Sequence, residues 1–453
     1  MPRDGLRTRR RVTARVVLGA ALLAPLCVGQ RTGAAQPPPA PAGKKKAEAS
    51  PPKSLAEQLE ALRDDVDDLK DENEDLKADL ADTKQQQAAR KEPVRLNLMN
   101  PPITAFLNAA GRIDDRPVLS SGGTRIDDRM FLRTGEVDFR AAIDPYADGV
   151  LILAFEDLAG EGFEADIEEG YFVLKQLPIL DAAPLGLKLK IGRYRAPIGN
   201  SNRLHMHDLP WTTRPLPITE LLGTEQGDFF ESGFNPEGID AEFFLPDVIP
   251  GAVMELNADV VDGGDIAIGD PVDHPPGFLG HYNLFFTLGE SHDFNLGLSG
   301  YVERGDHPSS LVAADFLYKW KPLEAGEFKS FVLGGELFQA DRDFAVDTDG
   351  DGVADGESDS HPLAGYAFAQ YQLTWHLYAG ARYDYTEKVA DDSLSTQVAA
   401  AYLSYYTSEF LRFRAGYEHR MSDIPAEDGV DSLLFEVNFV IGSHPIEPYW
   451  VNR

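Results

Sequence analysis

The sequence predicts an all-β fold: an antiparallel transmembrane β-barrel of about 16 strands, preceded by an N-terminal α-helical coiled coil. Three observations point to it. From about Ile103 to Ile441 the chain runs in short stretches of alternating apolar and polar residues. Each is about the length a tilted strand needs to cross a bilayer. The gaps between stretches are alternately tight (144–148, 290–291, 408–409) and long (112–128, 198–235, 263–280, 341–361). Short turns at one end and long loops at the other mark an up-and-down barrel of the bacterial outer membrane. The third observation is an export signal at the N-terminus.

Residues 1–35 read as that signal. Arg3, Arg7, Arg9, Arg10, Arg11 and Arg15 form a basic region, residues 16–28 an apolar one, and Gly33-Ala34-Ala35 a small-residue cleavage site. The apolar run is too short for a comfortable membrane anchor. Cys27 lacks a small residue just before it, which argues against a lipoprotein site. Cleavage near Ala35 would remove the only cysteine and with it any disulfide chemistry.

Residues 36–52, rich in proline and alanine, read as an extended linker. In 53–92, Leu55, Leu59, Leu62, Val66, Leu69, Leu76 and Leu80 keep a heptad, with Asn73 filling the missing beat at an a position. A solitary amphipathic helix would not need the 3.5-residue period to be sustained, so a coiled coil is expected. Pro93, Pro101 and Pro102 end it before the barrel, 103–453.

Alternation identifies individual strands. Phe131, Val137, Phe139, Ala141 and Ile143 oppose Glu136, Asp138 and Arg140. Leu377, Ala379, Ala381, Tyr383 and Tyr385 oppose His376, Arg382 and Asp384. Leu411, Phe413, Ala415 and Tyr417 oppose Arg412, Arg414, Glu418 and Arg420. A soluble sandwich also alternates, but the export signal, the loop asymmetry and aromatics such as Tyr402, Tyr405 and Tyr406 favour lipid on the apolar face. An even strand count returns both ends of the barrel, and the coiled coil, to the periplasm.

Charge narrows the function. The chain carries 42 basic and 74 acidic side chains, a formal net charge of −32. Nucleic acid is excluded as a partner on this ground. A channel with so acidic a field is expected to favour cations.

Two segments carry candidate sites. The long gap 198–235 holds Arg203, His205, His207, Arg214 and Glu220, and a loop folded into the lumen would place them at a constriction. His205 and His207 flank one residue and can share a transition metal if the backbone is extended, with Asp208 and His444 as further partners. Otherwise they are ordinary polar loop residues. In 347–355, Asp347, Asp349, Asp351 and Asp355 fall at positions 1, 3, 5 and 9 with Gly352 at 6, a spacing that wraps oxygen ligands around Ca²⁺. The twelfth-position glutamate is missing. A structural, non-catalytic Ca²⁺ is the expected cofactor there, against the alternative of a solvated acidic loop. No Gly-x-Ser-x-Gly elbow or Ser/His pair marks an enzyme.

The segment 187–199 (Leu-Lys-Leu-Lys-Ile-Gly-Arg-Tyr-Arg-Ala-Pro-Ile-Gly) resembles the strand-to-loop region of the phosphate-selective porin family, sixteen-stranded trimeric outer-membrane channels. Residues 202–207, 214–216 and 222–225, together with 439–445, are similar to a related porin-like group often described as zinc-regulated outer-membrane receptors. The resemblance implies a trimer and lumen-facing basic residues, for which Lys188, Lys190, Arg382, Arg412 and Arg414 are the candidates. The large acidic excess departs from anion selectivity. About 50 residues between linker and barrel are too few for the plug of a 22-stranded receptor.

The expected function is therefore passive diffusion of small hydrophilic solutes or ions through a porin-like channel, without enzymatic activity. Its partners would be outer-membrane lipid, further copies of the chain through coiled coil and barrel, and peptidoglycan. Two alternatives stand beside it: a plugged barrel serving as an envelope tether, and a metal (zinc)-uptake channel.

Overall fold

A computed structural model describes residues 103–442 of the 453, except 120–124, 127–128, 158–162, 178–182, 224–228, 230–231, 247, 265, 270–273, 323–327 and 347–355. The chain divides into units 1–87 and 88–453, and all described residues belong to the second. The expected export signal, linker, coiled coil and His444 lie outside the described residues. So do Asp347, Asp349, Asp351 and Asp355.

Sixteen strands follow one another around the sheet: β1 Ile103–Asp114, β2 Arg129–Ala142, β3 Ala147–Asp157, β4 Phe163–Leu174, β5 Lys188–Arg193, β6 Glu237–Phe244, β7 Ala252–Asp262 and β8 Pro276–Leu288. Then come β9 His292–Glu303, β10 Ser309–Trp320, β11 Phe331–Val346, β12 Gly356–Ser360 with Leu363–Gln372, β13 Leu377–Glu387, β14 Ser395–Ser408, β15 Leu411–Ser422 and β16 Val430–Gly442. Every neighbour is antiparallel. The sheet closes on itself because β1 pairs with both β2 and β16, setting Thr104 opposite Asp138 on one side and Gly442 on the other. Closure removes the unpaired edges that an open sheet would present to lipid. Strand β12 is broken at His361-Pro362, where proline has no N–H to give.

The two faces are inverted relative to a soluble protein. Leu151, Phe155, Val260, Phe278, Leu298, Val312, Leu337, Leu403, Phe413 and Leu433 point outward and are exposed, whereas Asn108, Asp240, Asn257, Asp259, Asp315, Glu336, Gln370, Asp384 and Glu436 are buried inside. An apolar exterior around a polar interior is the arrangement that suits strands crossing lipid. Among the described residues no helix is long and apolar enough to cross a membrane. Exposed Tyr371, Trp375 and Tyr405 gather near the 373–376 and 409–410 turns, where amphipathic rings match a membrane–water boundary.

The tight turns 143–146, 289–291, 373–376 and 409–410 share one end, and 115–128, 194–236, 263–275 and 347–355 the other. Gly289 supplies the left-handed φ of 64° that its turn requires. Several strands outrun their expected limits at the loop end. Strand β11 continues to Val346 opposite Gly356, which shortens the expected 341–361 gap to 347–355. Ladder hydrogen bonds extend there beyond the apolar band, where both faces can be polar.

Candidate functional site

The chain between β5 and β6 does not stay at the barrel mouth. Its first residues extend the ladder, with the Tyr194 N–H donating to Pro236 O and the Ala196 N–H to Phe234 O, both at 3.1 Å. It then turns at Gly199 (φ 61°) into the lumen. Glu336 on β11 receives the turn, accepting the Asn200 and Ser201 N–H groups at 3.0 and 2.7 Å and the Tyr366 hydroxyl at 2.6 Å. A Cβ on residue 199 would fall 2.1 Å from Glu336 Oε2, so glycine is required twice over.

A loop inside a barrel must satisfy its backbone carbonyls without a ladder. Arginines of the wall do this. Arg133 donates to Thr212 O (2.7 Å) and Phe229 O (3.1 Å), and Arg382 to Thr213 O (2.7 Å). Arg412 donates to His207 O (2.9 Å), and Arg414 to Leu209 O (2.7 Å) and Trp211 O (2.5 Å). Glu436 on β16 offsets three of these cations: its oxygens lie 2.7 Å from Arg412, 3.1 Å from Arg414 and 3.3 Å from Arg133. Asp384 does the same for Arg382 at 2.9 Å. The carboxylates of this cluster let the guanidinium groups stay charged although all are buried.

Apolar packing completes the seal. Tyr194, Ile198, Ile218, Leu221, Leu222 and Phe234 of the loop join Val261, Leu279, Tyr301, Leu311 and Phe338 of the wall in one buried cluster. A second gathers Met206, Leu209 and Trp211 against Leu317, Val332, Tyr366, Phe368 and Tyr402, with Trp211 edge-on to Phe368 at 4.7 Å. The short helix α1, Leu216–Leu221, is anchored by Glu220, which pairs with Lys388 at 3.2 Å and accepts the Val389 N–H. Arg214 braces the loop internally by donating to Ser201 O and Leu204 O.

Thus Arg214, Arg382, Arg412 and Arg414 are buried, while Lys188, Lys190 and Arg203 keep partial contact with solvent. These three form a ladder of partly exposed ion pairs along β5–β7: Lys188–Glu242 at 2.5 Å, Lys190–Asp240 at 3.8 Å and Arg203–Glu255 at 3.7 Å. Acids dominate the adjoining wall. Asp240 and Asp259 stand directly opposite each other on β6 and β7, and Asp315 and Glu336 follow on β10 and β11. Asp259 Oδ2, Asp315 Oδ2 and Glu336 Oε2 receive no hydrogen bond from the protein.

His205 and His207 meet the barrel wall at Glu136 on β2. His207 Nδ1 is 3.1 Å from Glu136 Oε1, and His205 Nδ1 is 3.3 Å from Oε2. On the far side of the rings, His205 Nε2 is 2.8 Å from Glu169 and His207 Nε2 is 3.7 Å from Asp208. Both histidines belong to the loop rather than to the strands. Burial disfavours charge on them, but Glu136 and the hydrogen bond to Glu169 outweigh it and push His205 up to about 10. Glu136 and Asp208 raise His207 in the same direction.

Strict alternation hides several of these residues. The β1–β2 register shifts between Asn108 and Ala109, which makes Arg133 a bulged extra residue facing inward beside Thr134. Beyond the bulge Phe131 also turns inward and meets Phe229, so it leaves the face of Val137 and Phe139 on which alternation placed it. A second bulge between Ile152 and Leu153 makes Glu168 the extra residue of β4. Glu168 binds Arg195 while its neighbour Glu169 reaches His205.

No family model and no curated protein matches the sequence. Solved structures do match. The chain is similar to the outer membrane channel DcaP of Acinetobacter baumannii (10% identity, TM-score 0.49, 75% of this chain and 96% of that one). It is similar also to an anion-selective porin from Comamonas acidovorans (11%, 0.47, 75% and 98%). A third match is OmpF of Salmonella typhi in complex with daunomycin (12%, 0.45, 75% and 98%).

Proposed function

We propose that the chain is a porin-like channel of the bacterial outer membrane, passing small hydrophilic solutes or ions passively through a lumen narrowed by residues 194–236, with cations favoured. The observation that carries this reading is the inverted barrel, polar within and apolar without, with its partly exposed ladder of charges along β5–β7. The clamp occupies most of the wall arginines, so they contribute little to the field along the remaining route. The partly exposed carboxylates of Glu242 on β6 and Glu255 on β7 favour a passing cation. The function needs no catalytic group. In this reading the N-terminal coiled coil stands in the periplasm, joins copies of the chain into a trimer and sets their distance from peptidoglycan. The acidic loop 347–355 holds a structural Ca²⁺.

Single-channel recording of the purified full chain in planar bilayers tests it. Discrete conductance steps are expected, with a reversal potential that favours potassium over chloride. A second reading, the plugged envelope tether, is favoured by the two apolar clusters that pack the loop against the wall. It predicts silent membranes at the same protein density, and silence would overturn the channel.

A further inference from the structure

The loop and the wall meet at one place through side chains of a kind the rest of the clamp does not use. Glu136, His205 and His207 are buried, and each offers a ligand atom within 4.8 Å of the other two. His205 stands just before the 3₁₀ turn Met206–Asp208 that carries His207, and the two rings stack at 5.4 Å. Both Nδ1 atoms face the two oxygens of Glu136. His205 Nδ1 nevertheless makes no hydrogen bond, although Glu136 lies 3.3 Å away.

We infer that this cluster is a binding site for one divalent transition-metal ion of the zinc class, held by Nδ1 of His205, Nδ1 of His207 and a carboxylate oxygen of Glu136. The donor set is two imidazoles and a carboxylate, which suits borderline metals rather than Ca²⁺ or Mg²⁺. Three protein ligands leave a fourth position for water. The surroundings fit the same reading. A metal-bound histidine usually gives its other ring nitrogen to a carboxylate, and here Glu169 stands at His205 Nε2 and Asp208 at His207 Nε2. Phe106 stacks on His207 at 4.0 Å and walls off one side. Arg195, a neighbouring cation, is engaged by Glu168, and Arg412 by Glu436. The ion would replace ring protons that the same carboxylates otherwise hold. Because the histidines come from the loop and Glu136 from β2, the ion fastens the loop to the wall. It is a latch, independent of whether solute passes.

The test uses the full chain in detergent without a histidine tag, stripped with chelator and titrated with Co²⁺ and then Zn²⁺. One Co²⁺ per chain is expected, with the visible absorption of a low-coordinate, nitrogen-ligated site, and Zn²⁺ should displace it. The His205→Gln/His207→Gln pair should lose the site while keeping the heat-modifiable gel mobility of a closed barrel. Glu169→Gln should keep the stoichiometry and weaken affinity about 10–100-fold. In the parent, Zn²⁺ should slow the cleavage by trypsin after Arg203. Absence of the Co²⁺ spectrum in the stripped parent, or one equivalent bound equally by the double variant, would overturn the site. The parent spectrum decides the matter even if the variants do not fold.

Discussion

At the scale of single residues, the clamp concentrates its risk in Glu436. Replacing it with Gln leaves Arg133, Arg412 and Arg414 buried without their shared counter-charge. A loss of about 3–5 kcal/mol is expected, read as a lowered midpoint of thermal unfolding in detergent. Arg414→Met should cost a comparable amount, about 1–3 kcal/mol for each of the two carbonyls it abandons at Leu209 and Trp211. An unchanged midpoint in the Glu436 variant would show that the cluster is not buried in the folded protein. These partners illustrate what the sequence can and cannot disclose. Arg412 and Arg414 are recognisable as inward-facing from the period of β15, but the carbonyls they hold lie about 200 positions earlier, and nothing local announces the pairing. Arg133 is hidden more deeply, because a bulge reverses its face. His205 and His207 were visible as a pair. Glu136, visible only as one more polar strand residue, became their partner through folding alone.

At the scale of elements, strands were legible and the loop's path was not. A period of two marks every strand whose faces differ this sharply, and sequential pairing makes the alternation of tight and long gaps almost sufficient for the topology. The boundaries moved because ladders continue past the lipid, as β11 does. The 194–236 connection has no period, and its inward course is set by contacts from β2, β4, β11, β13 and β15. Its burial makes a direct prediction. Trypsin should cut after Arg203 only slowly in the native chain, because proteolysis requires the segment to open. Arg382→Gln with Arg414→Gln removes three of the hydrogen bonds to carbonyls 209–213 and should speed cleavage after Arg203. Gel mobility should still report a closed barrel. Equal resistance in parent and variant would mean that apolar packing alone holds the loop.

At the scale of the whole molecule, selectivity is a property of the summed field. Glu242→Gln with Glu255→Gln should lower the cation-to-anion permeability ratio, and Arg203→Gln should raise it. Each change should be about two- to fivefold, for an interaction on the order of 1 kcal/mol in a water-filled lumen. Reversal potentials in a potassium chloride gradient measure both, and shifts of the opposite sign would move the ion route away from β5–β7. The decisive comparison is single-channel conductance of the full chain against a chain in which residues 200–222 are replaced by a short glycine-serine linker. A small, cation-favouring step in the full chain and a larger, less selective one in the shortened chain are expected. Silence from both, or steps of equal size, would contradict a channel narrowed by its own loop.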